Sequence, residues 1–366
     1  MPETVIDLTE LELNPQEAQS LSEVVFEKKI EKGSLNTFHA VITGIQSGKK
    51  IPFVGNLGLV GECIDGCNLP SGSSLPMSEK EWAPKTIGFR LTHCSKDVNG
   101  LATYLKKKIN RYPDEYDMAA SPEETVILMK AEEATEDMLW RLLHFGDTAI
   151  QNVEDSGYLK DGVNIKFFKC INGLWPKVMA ETELATGGKY FVSIAANAGV
   201  SYTAQDSLAT DFTKGLVKSM IAKADPRLKA AASKILLMTD SLAENLRSSM
   251  EEVAWKNAID INKDLQAITA AYGQTNYVGT YRGVDIYAVV NWDTIIRTYF
   301  DNGTVWNKPH RALLTTPDNI PVGTPSTQML GSLDSFYDRK DKLNYVDAEI
   351  MVDIQILEDY MAVAAY

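Results

Sequence analysis

The chain has 366 residues, 45% of them hydrophobic, and its 49 acidic against 36 basic residues leave a formal charge of −13. That hydrophobic share excludes a disordered or low-complexity chain, and the acidic balance opposes general adhesion to nucleic acid or to an anionic membrane. No apolar run is long enough to span a bilayer, and the acidic start MPETVIDLTELELNPQEAQ carries no secretory h-region.

Residues 1–50 read as an arm, with a helical segment PQEAQSLSEVVFEKKI followed by VITGIQSGKK. From Ile51 the composition shifts. The stretch GNLGLVGECIDGCNLPSGSSLPMSEKEWAP is dense in Gly, Pro and Ser and short of core anchors, as in functional or flexible loops. KTIGFRLTH then resumes strand-like alternation.

A helical region begins with VNGLATYLKKKINRYP and continues in SPEETVILMKAEEATEDMLWRLLHFGDTAI. Ser121 reads as an N-cap and Pro122 as the first helical residue. Leu128, Ala131, Ala134, Met138, Leu142 and Phe145 recur at spacings of three and four, and Gly146 is the expected stop. A helix of roughly 22 residues is about 33 Å long, a strut rather than an ordinary globular helix. GVNIKFFKCINGLWPKVM, which contains Trp175, reads as a strand and a tight turn.

A second α/β region follows. SLATDFTKGLVKSMIAKADPRL is an amphipathic helix, ASKILLMTD a strand, and SLAENLRSSMEEVAW a helix capped by Ser241. TYRGVDIYAVVNWD gives a turn at Arg282-Gly283, a strand and a loop. In RALLTTPDNIPVGTP a short strand leads into a shaped turn. Pro317 fixes φ, Asp318 and Asn319 favour a turn, Pro321 keeps Ile320 out of a helix, and Gly323 suits a conformation closed to a Cβ. The loop lacks the lysine and following helix of a phosphate cradle, so it reads as a corner leaving a sheet edge. At the end, Ala348, Ile350, Val352, Ile354 and Ile356 share one face of a long strand, with Glu349, Asp353 and Gln355 on the other.

Little of this carries reaction chemistry. Cys63 and Cys67 stand at a C-x₃-C spacing, Cys94 follows His93, and Cys170 sits among apolar residues; the first three read as free loop thiols and the last as core. His39, His93, His144 and His310 lie in no nucleophile or metalloprotease motif, and His144, in the last turn of the strut, is favoured in its charged form by the helix terminus. TGGKYF and GKKIPFVGNLG lack the order of a nucleotide loop. No catalytic, cofactor-binding or metal-binding residue is expected. Basic runs such as Lys106 to Lys108 lack interleaved aromatics and read as solvated or paired.

The order of elements, with LLHFGDTAI, FKCINGLWPKV, GTYRGVDIYAVVNWD, ALLTTPDNIPVGT and AEIMVDIQILEDYMAVAAY, resembles the major capsid proteins of tailed bacteriophages, the Hong Kong 97 type. It is most similar to those of phages or prophages of gut Bacteroidetes. The resemblance implies an α+β capsid fold: an N-terminal arm (1–50), an extended E-loop (51–93), a peripheral domain with a long spine helix (94–186 and the terminal strand 345–366), and an axial domain (187–344). It implies self-assembly into hexamers and pentamers of an icosahedral shell that encloses double-stranded DNA without sequence-specific binding. A portal at one vertex and a separate scaffolding or decoration protein are implied partners, and no membrane is. Gly146, Trp175, Arg282, Gly283, Pro317, Asn319, Pro321, Gly323 and Tyr360 are the implied structural and assembly positions. An encapsulin-like cargo shell and a soluble acidic α/β hydrolase are the competing readings.

Overall fold

The computed structural model describes residues 34–48, 50–54, 77–93, 122–181, 188–257, 275–325, 331–338 and 343–366. The helix expected at 15–30, the glycine-rich loop at 55–76, Cys63, Cys67 and Cys94, and the segment 98–113 lie outside them.

The first described elements are a short helix α1 (Ser34–Phe38) and strand β1 (Val41–Thr43). Strands β2 (Lys50–Val54) and β3 (Met77–Glu81) pair antiparallel as a separate two-stranded ribbon, and β4 (Lys85–His93) follows. The strut is α2 (Pro122–Phe145), 24 residues and so about 36 Å long. Met138, Leu142 and Phe145 on its expected apolar stripe are buried. Gly146 ends it for a packing reason: a Cβ there would lie 2.6 Å from the carbonyl oxygens of both Leu142 and Ile171.

The strand and tight turn expected over 162–179 are instead a 3-10 turn (Ile165–Phe167) and helix α3 (Leu174–Ala180). Asn164 accepts the Lys166 N–H and starts the turn, while Pro176 falls in the first turn of α3, where no intrahelical N–H is required. Cys170, between them, is only half buried rather than core.

Strand β5 (Phe191–Val192), helices α4 (Tyr202–Asp206), α5 (Phe212–Lys223) and α6 (Pro226–Ala230), and strand β6 (Lys234–Met238) come next. Helix α7 (Asp240–Asn257) begins one residue before the expected cap. Its first N–H groups, on Asp240 and Ser241, are accepted by the Asp293 carboxylate. Ser241 instead donates its hydroxyl to His310 Nδ1 at 2.8 Å, because His310 Nε2 donates to the Gln205 carbonyl at 2.8 Å and leaves Nδ1 as the acceptor.

Strands β7 (Thr275–Tyr281) and β8 (Val284–Val289) form a hairpin whose turn residues Arg282 and Gly283 have φ of 52° and 72°. Two positive φ angles match the twist of the flanking strands. The loop expected after β8 is helix α8 (Val290–Tyr299), driven by Trp292, Ile295 and Ile296, which are buried at helical spacing. Strands β9 (Ala312–Thr315), β10 (Val322–Thr324), β11 (Gly331–Asp338), β12 (Leu343–Ile354) and β13 (Val363–Ala365) complete the chain.

A six-stranded sheet has the order β5-β13-β9-β6-β8-β7; a five-stranded sheet has β1-β10-β12-β11, with β4 also on β12. One hydrophobic cluster runs through both, from Leu35 to Tyr366. The single closing strand expected over 345–366 therefore divides: β12 belongs to one sheet and β13 to the other. Ala348, Ile350, Val352, Ile354 and Ile356 are buried as their alternation requires. Asp353, expected on the solvent face, is 2% exposed.

Candidate functional site

The segment Arg311 to Pro325 lies where the two sheets meet. Its strand β9 is flanked by β13 and β6, so it is internal rather than an edge, and its strand β10 lies between β1 and β12 in the other sheet. Pro317 to Asn319 form a 3-10 turn with proline at the start. Asn319, 4% exposed, is the clamp. It accepts the Glu358 N–H at 2.8 Å and donates to the Glu358 carbonyl at 3.1 Å and to Thr315 Oγ1 at 3.2 Å. The Pro321 carbonyl accepts the Gln355 N–H at 3.1 Å. Gly323 is required by proximity rather than by φ, since a Cβ would meet the Trp82 ring at 2.7 Å and Ile45 Cδ1 at 2.8 Å.

The segment leading from α1 docks on this corner. Ala40 donates its N–H to Pro317 O at 3.1 Å and accepts from Val322 at 2.9 Å, setting β1 parallel to β10. His39 Nδ1 lies 2.8 Å from the Ile320 carbonyl, and its Nε2 lies 3.1 Å from His144 Nε2 at the end of α2. His144 Nδ1 in turn faces the Trp140 carbonyl at 3.2 Å. Both rings are fully buried, with His144 stacked on Trp140 and edge-on to Trp292. Burial pushes the His39 pKa down to about 4, and burial followed by the proximity of His39 holds His144 well below the usual imidazole range. The charged form expected for His144 from the helix terminus is therefore corrected: desolvation outweighs the dipole. Two neutral rings carry two ring protons for three polar contacts. A carbonyl only accepts, so the 2.8 Å contact to Ile320 places the His39 proton on Nδ1 and leaves its Nε2 as an acceptor facing His144.

Below the ribbon, Lys80 of β3 bridges Glu181 and Asp359, each at 3.3 Å. Asp353 accepts from Lys177 Nζ at 3.2 Å, from the Ala83 N–H at 2.9 Å and from Gln355 Nε2 at 3.1 Å. Helix α3 brings Lys177 over the face of β12 that alternation had assigned to solvent. The Lys177 pKa is lowered by burial, with Asp353 acting in the opposite sense. Tyr360, two residues beyond the Asn319 clamp, lies under the Arg227 guanidinium at 3.6 Å from ring centroid to Cζ, and Arg227 pairs with Asp225. Burial pushes the Tyr360 hydroxyl up to about 12.

Pro317, Asn319, Pro321, Gly323 and Tyr360 are thus brought together at one corner. Gly146 is tied at a second place to the start of α3, which carries Trp175, since the Gly173 N–H donates to the Gly146 carbonyl at 2.7 Å. Arg282 and Gly283 stand apart at the β7–β8 turn. Sequence reasoning missed the His39–His144 pair, the Lys177–Asp353 pair and buried Arg311. Only Arg311 left a signal, a cation directly before an apolar strand. Among the described residues, no group of three or more His, Cys, Asp or Glu side chains could hold a metal ion, and no helix is long and apolar enough to cross a membrane.

The described architecture thus joins two sheets, a long strut helix and a separate ribbon. No family model matches the sequence, and no curated protein matches it. Solved structures do match, nearly end to end. A chain of the satellite phage P4 procapsid that includes the size determination protein aligns with a TM-score of 0.50 at 10% identity, covering 95% of this chain and 98% of that chain. A chain of the Ralstonia phage GP4 capsid gives 0.51 at 12% identity, with 92% and 89% covered. A Mycobacterium phage Ogopogo chain gives 0.51 at 10% identity, with 91% of each covered. The fold is the α+β Hong Kong 97 type of phage major capsid proteins.

Proposed function

We propose that the chain is a major capsid protein that assembles as hexamers and pentamers into an icosahedral shell around double-stranded DNA. The observation that carries this reading is the end-to-end likeness of fold to chains of phage capsids. The ribbon supports it. A lone two-stranded sheet is marginal in water, and among the described residues β2–β3 pairs with neither larger sheet, so a neighbouring copy is the natural cover for it. The net charge of −13 suits a wall against which DNA slides rather than sticks. On this reading the chain has no catalytic task, its partners are its own copies, a portal and a scaffolding or decoration protein, and it is made in a bacterial cytoplasm and ends in the virion. An origin in phages of gut Bacteroidetes belongs to the same proposal.

Size-exclusion chromatography with light scattering, followed by electron microscopy under assembly conditions, tests it. Capsomers and closed particles are expected; a compact monomer at every concentration and salt would reject it. Nuclease-protected DNA in particles recovered from the host separates a phage shell from an encapsulin-like cargo shell.

A further inference from the structure

A cavity of about 530 Å³ opens between α2, α3 and the segment before β9. Phe145, Tyr158, Trp175 and Phe300 form its walls, and Lys308 and Arg311 contribute to its lining. Arg311 is 3% exposed. Its guanidinium carbon lies 5.3 Å from the Phe145 ring centroid and 5.2 Å from that of Trp175. Nε donates to the Lys308 carbonyl at 2.9 Å and one terminal nitrogen to the Asn307 carbonyl at 3.0 Å. No carboxylate among the described residues pairs with it, so a buried charge with five N–H donors has only neutral oxygen acceptors.

Lys308 points the same way. It is held at a φ of 50°, rare for a residue with a side chain, and its Nζ rests 4.1 Å from the Tyr366 ring centroid with Met179 Sδ at 3.8 Å. Among the described residues no oxygen accepts from that ammonium, and burial, then Arg311, lowers its pKa. The other charged groups in the lining are engaged: Asp147 accepts from the Tyr158 hydroxyl and the Ala149 N–H, and Lys177 pairs with Asp353. The Trp175 indole N–H, also buried, has no acceptor among the described residues.

We propose that this cavity is a binding site for a carboxylate on a flat or apolar body, its two oxygens taken by Arg311 and Lys308 between aromatic walls. A guanidinium fork and an ammonium fit a two-oxygen anion, and the aromatic walls lower the local polarity in which they would pair. The same chemistry can come from a free carboxylic acid or from a Glu or Asp side chain of a second copy, whose surface is rich in acids. The proposal rests on the cavity and is independent of the capsid reading.

The test is thermal denaturation and calorimetry of the unassembled full chain with benzoate as probe, using benzamide at matched ionic strength as the neutral control. Benzoate is expected to bind saturably and raise the melting temperature, and benzamide to do neither. Lys308→Met is expected to weaken benzoate binding about tenfold, the scale of one charge-assisted contact, while leaving the ligand-free chain folded. Arg311→Lys, which keeps the charge and loses the fork, is expected to weaken it further. Equal responses to benzoate and benzamide, or unchanged benzoate affinity in Lys308→Met, would overturn the proposal. In assembled particles, loss of the benzoate response assigns the site to a neighbouring copy's carboxylate, and its persistence assigns it to a free ligand.

Discussion

His39 Nε2 and His144 Nε2 face each other across 3.1 Å in the buried junction of the segment after α1, the strut helix and the corner loop. The groups facing the pair are the Ile320 and Trp140 carbonyls and the Trp140 and Trp292 rings, and the depressions cited for it come from burial and from each ring acting on the other. Both folded pKa values lie below the unfolded value near 6.5, so the unfolded chain binds these protons first. The pair's stabilising effect is fully present above pH 6.5 and is lost as pH falls toward about 4, the His39 value. Buried His310 acts in the same sense. Asp293, pushed up to about 6 by burial, acts oppositely, because its folded form takes the proton first. A lower melting temperature is expected at pH 5 than at pH 7.5, with the difference reduced in His39→Asn. An unchanged pH dependence in that variant would remove the pair from the account.

The His39 tautomer is also predicted. Nitrogen-15 NMR of the unassembled chain should find the proton of His39 on Nδ1, where the Ile320 carbonyl accepts it at 2.8 Å. A proton on Nε2 would reject the assignment.

Asp353→Asn removes the charge that compensates Lys177 at a nearly closed site, where Asp353 is 2% exposed. Breaking a buried pair from one side costs about 3 kcal/mol. Chemical denaturation should show that loss without a change in slope. Asp353→Asn with Lys177→Met should recover part of it, and a double variant no better than the single would deny the coupling.

Gly323→Ala places a methyl group 2.7 Å from the Trp82 ring. Overpacking of this kind costs about 1–3 kcal/mol. Gly283→Ala strains a backbone at φ 72° but meets only Lys234 Nζ at 4.0 Å, so it should cost less. If the two variants melt alike, the close approach of Trp82 is not what requires glycine at 323.

Asn319→Ala leaves the Glu358 N–H and carbonyl without their side-chain partner and should cost about 1–3 kcal/mol. Pro317→Ala with Pro321→Ala removes the stiffness of the same corner and should lower particle yield. Normal yield from both sets would mean that the corner is not needed to shape the subunit.

The strands with clean alternation, the strut helix and the Arg282-Gly283 turn were legible because their local patterns and their burial agree. Trp292, Ile295 and Ile296 carried a helical period too, but it was short and followed a strand without a break, so α8 was hidden. Asp353 looked like a surface acid because period-two patterning assumes one wet face; α3 covers that face and brings Lys177 to it. Gly323 was recognised as necessary for the wrong reason, since no local rule reports the Trp82 ring. By itself the sequence determined the long helix, the apolar row of the last long strand and the acidic balance, all legible from neighbours in the chain, while the α+β class rested on the resemblance carried by the order of elements. Only the tertiary structure decided that His39 meets His144, that β13 leaves the sheet of β12, and that Arg311 is buried beside an aromatic cavity. Those contacts join residues far apart in sequence, where burial and proximity, rather than local propensity, set the protonation, the charge partners and the space for a side chain.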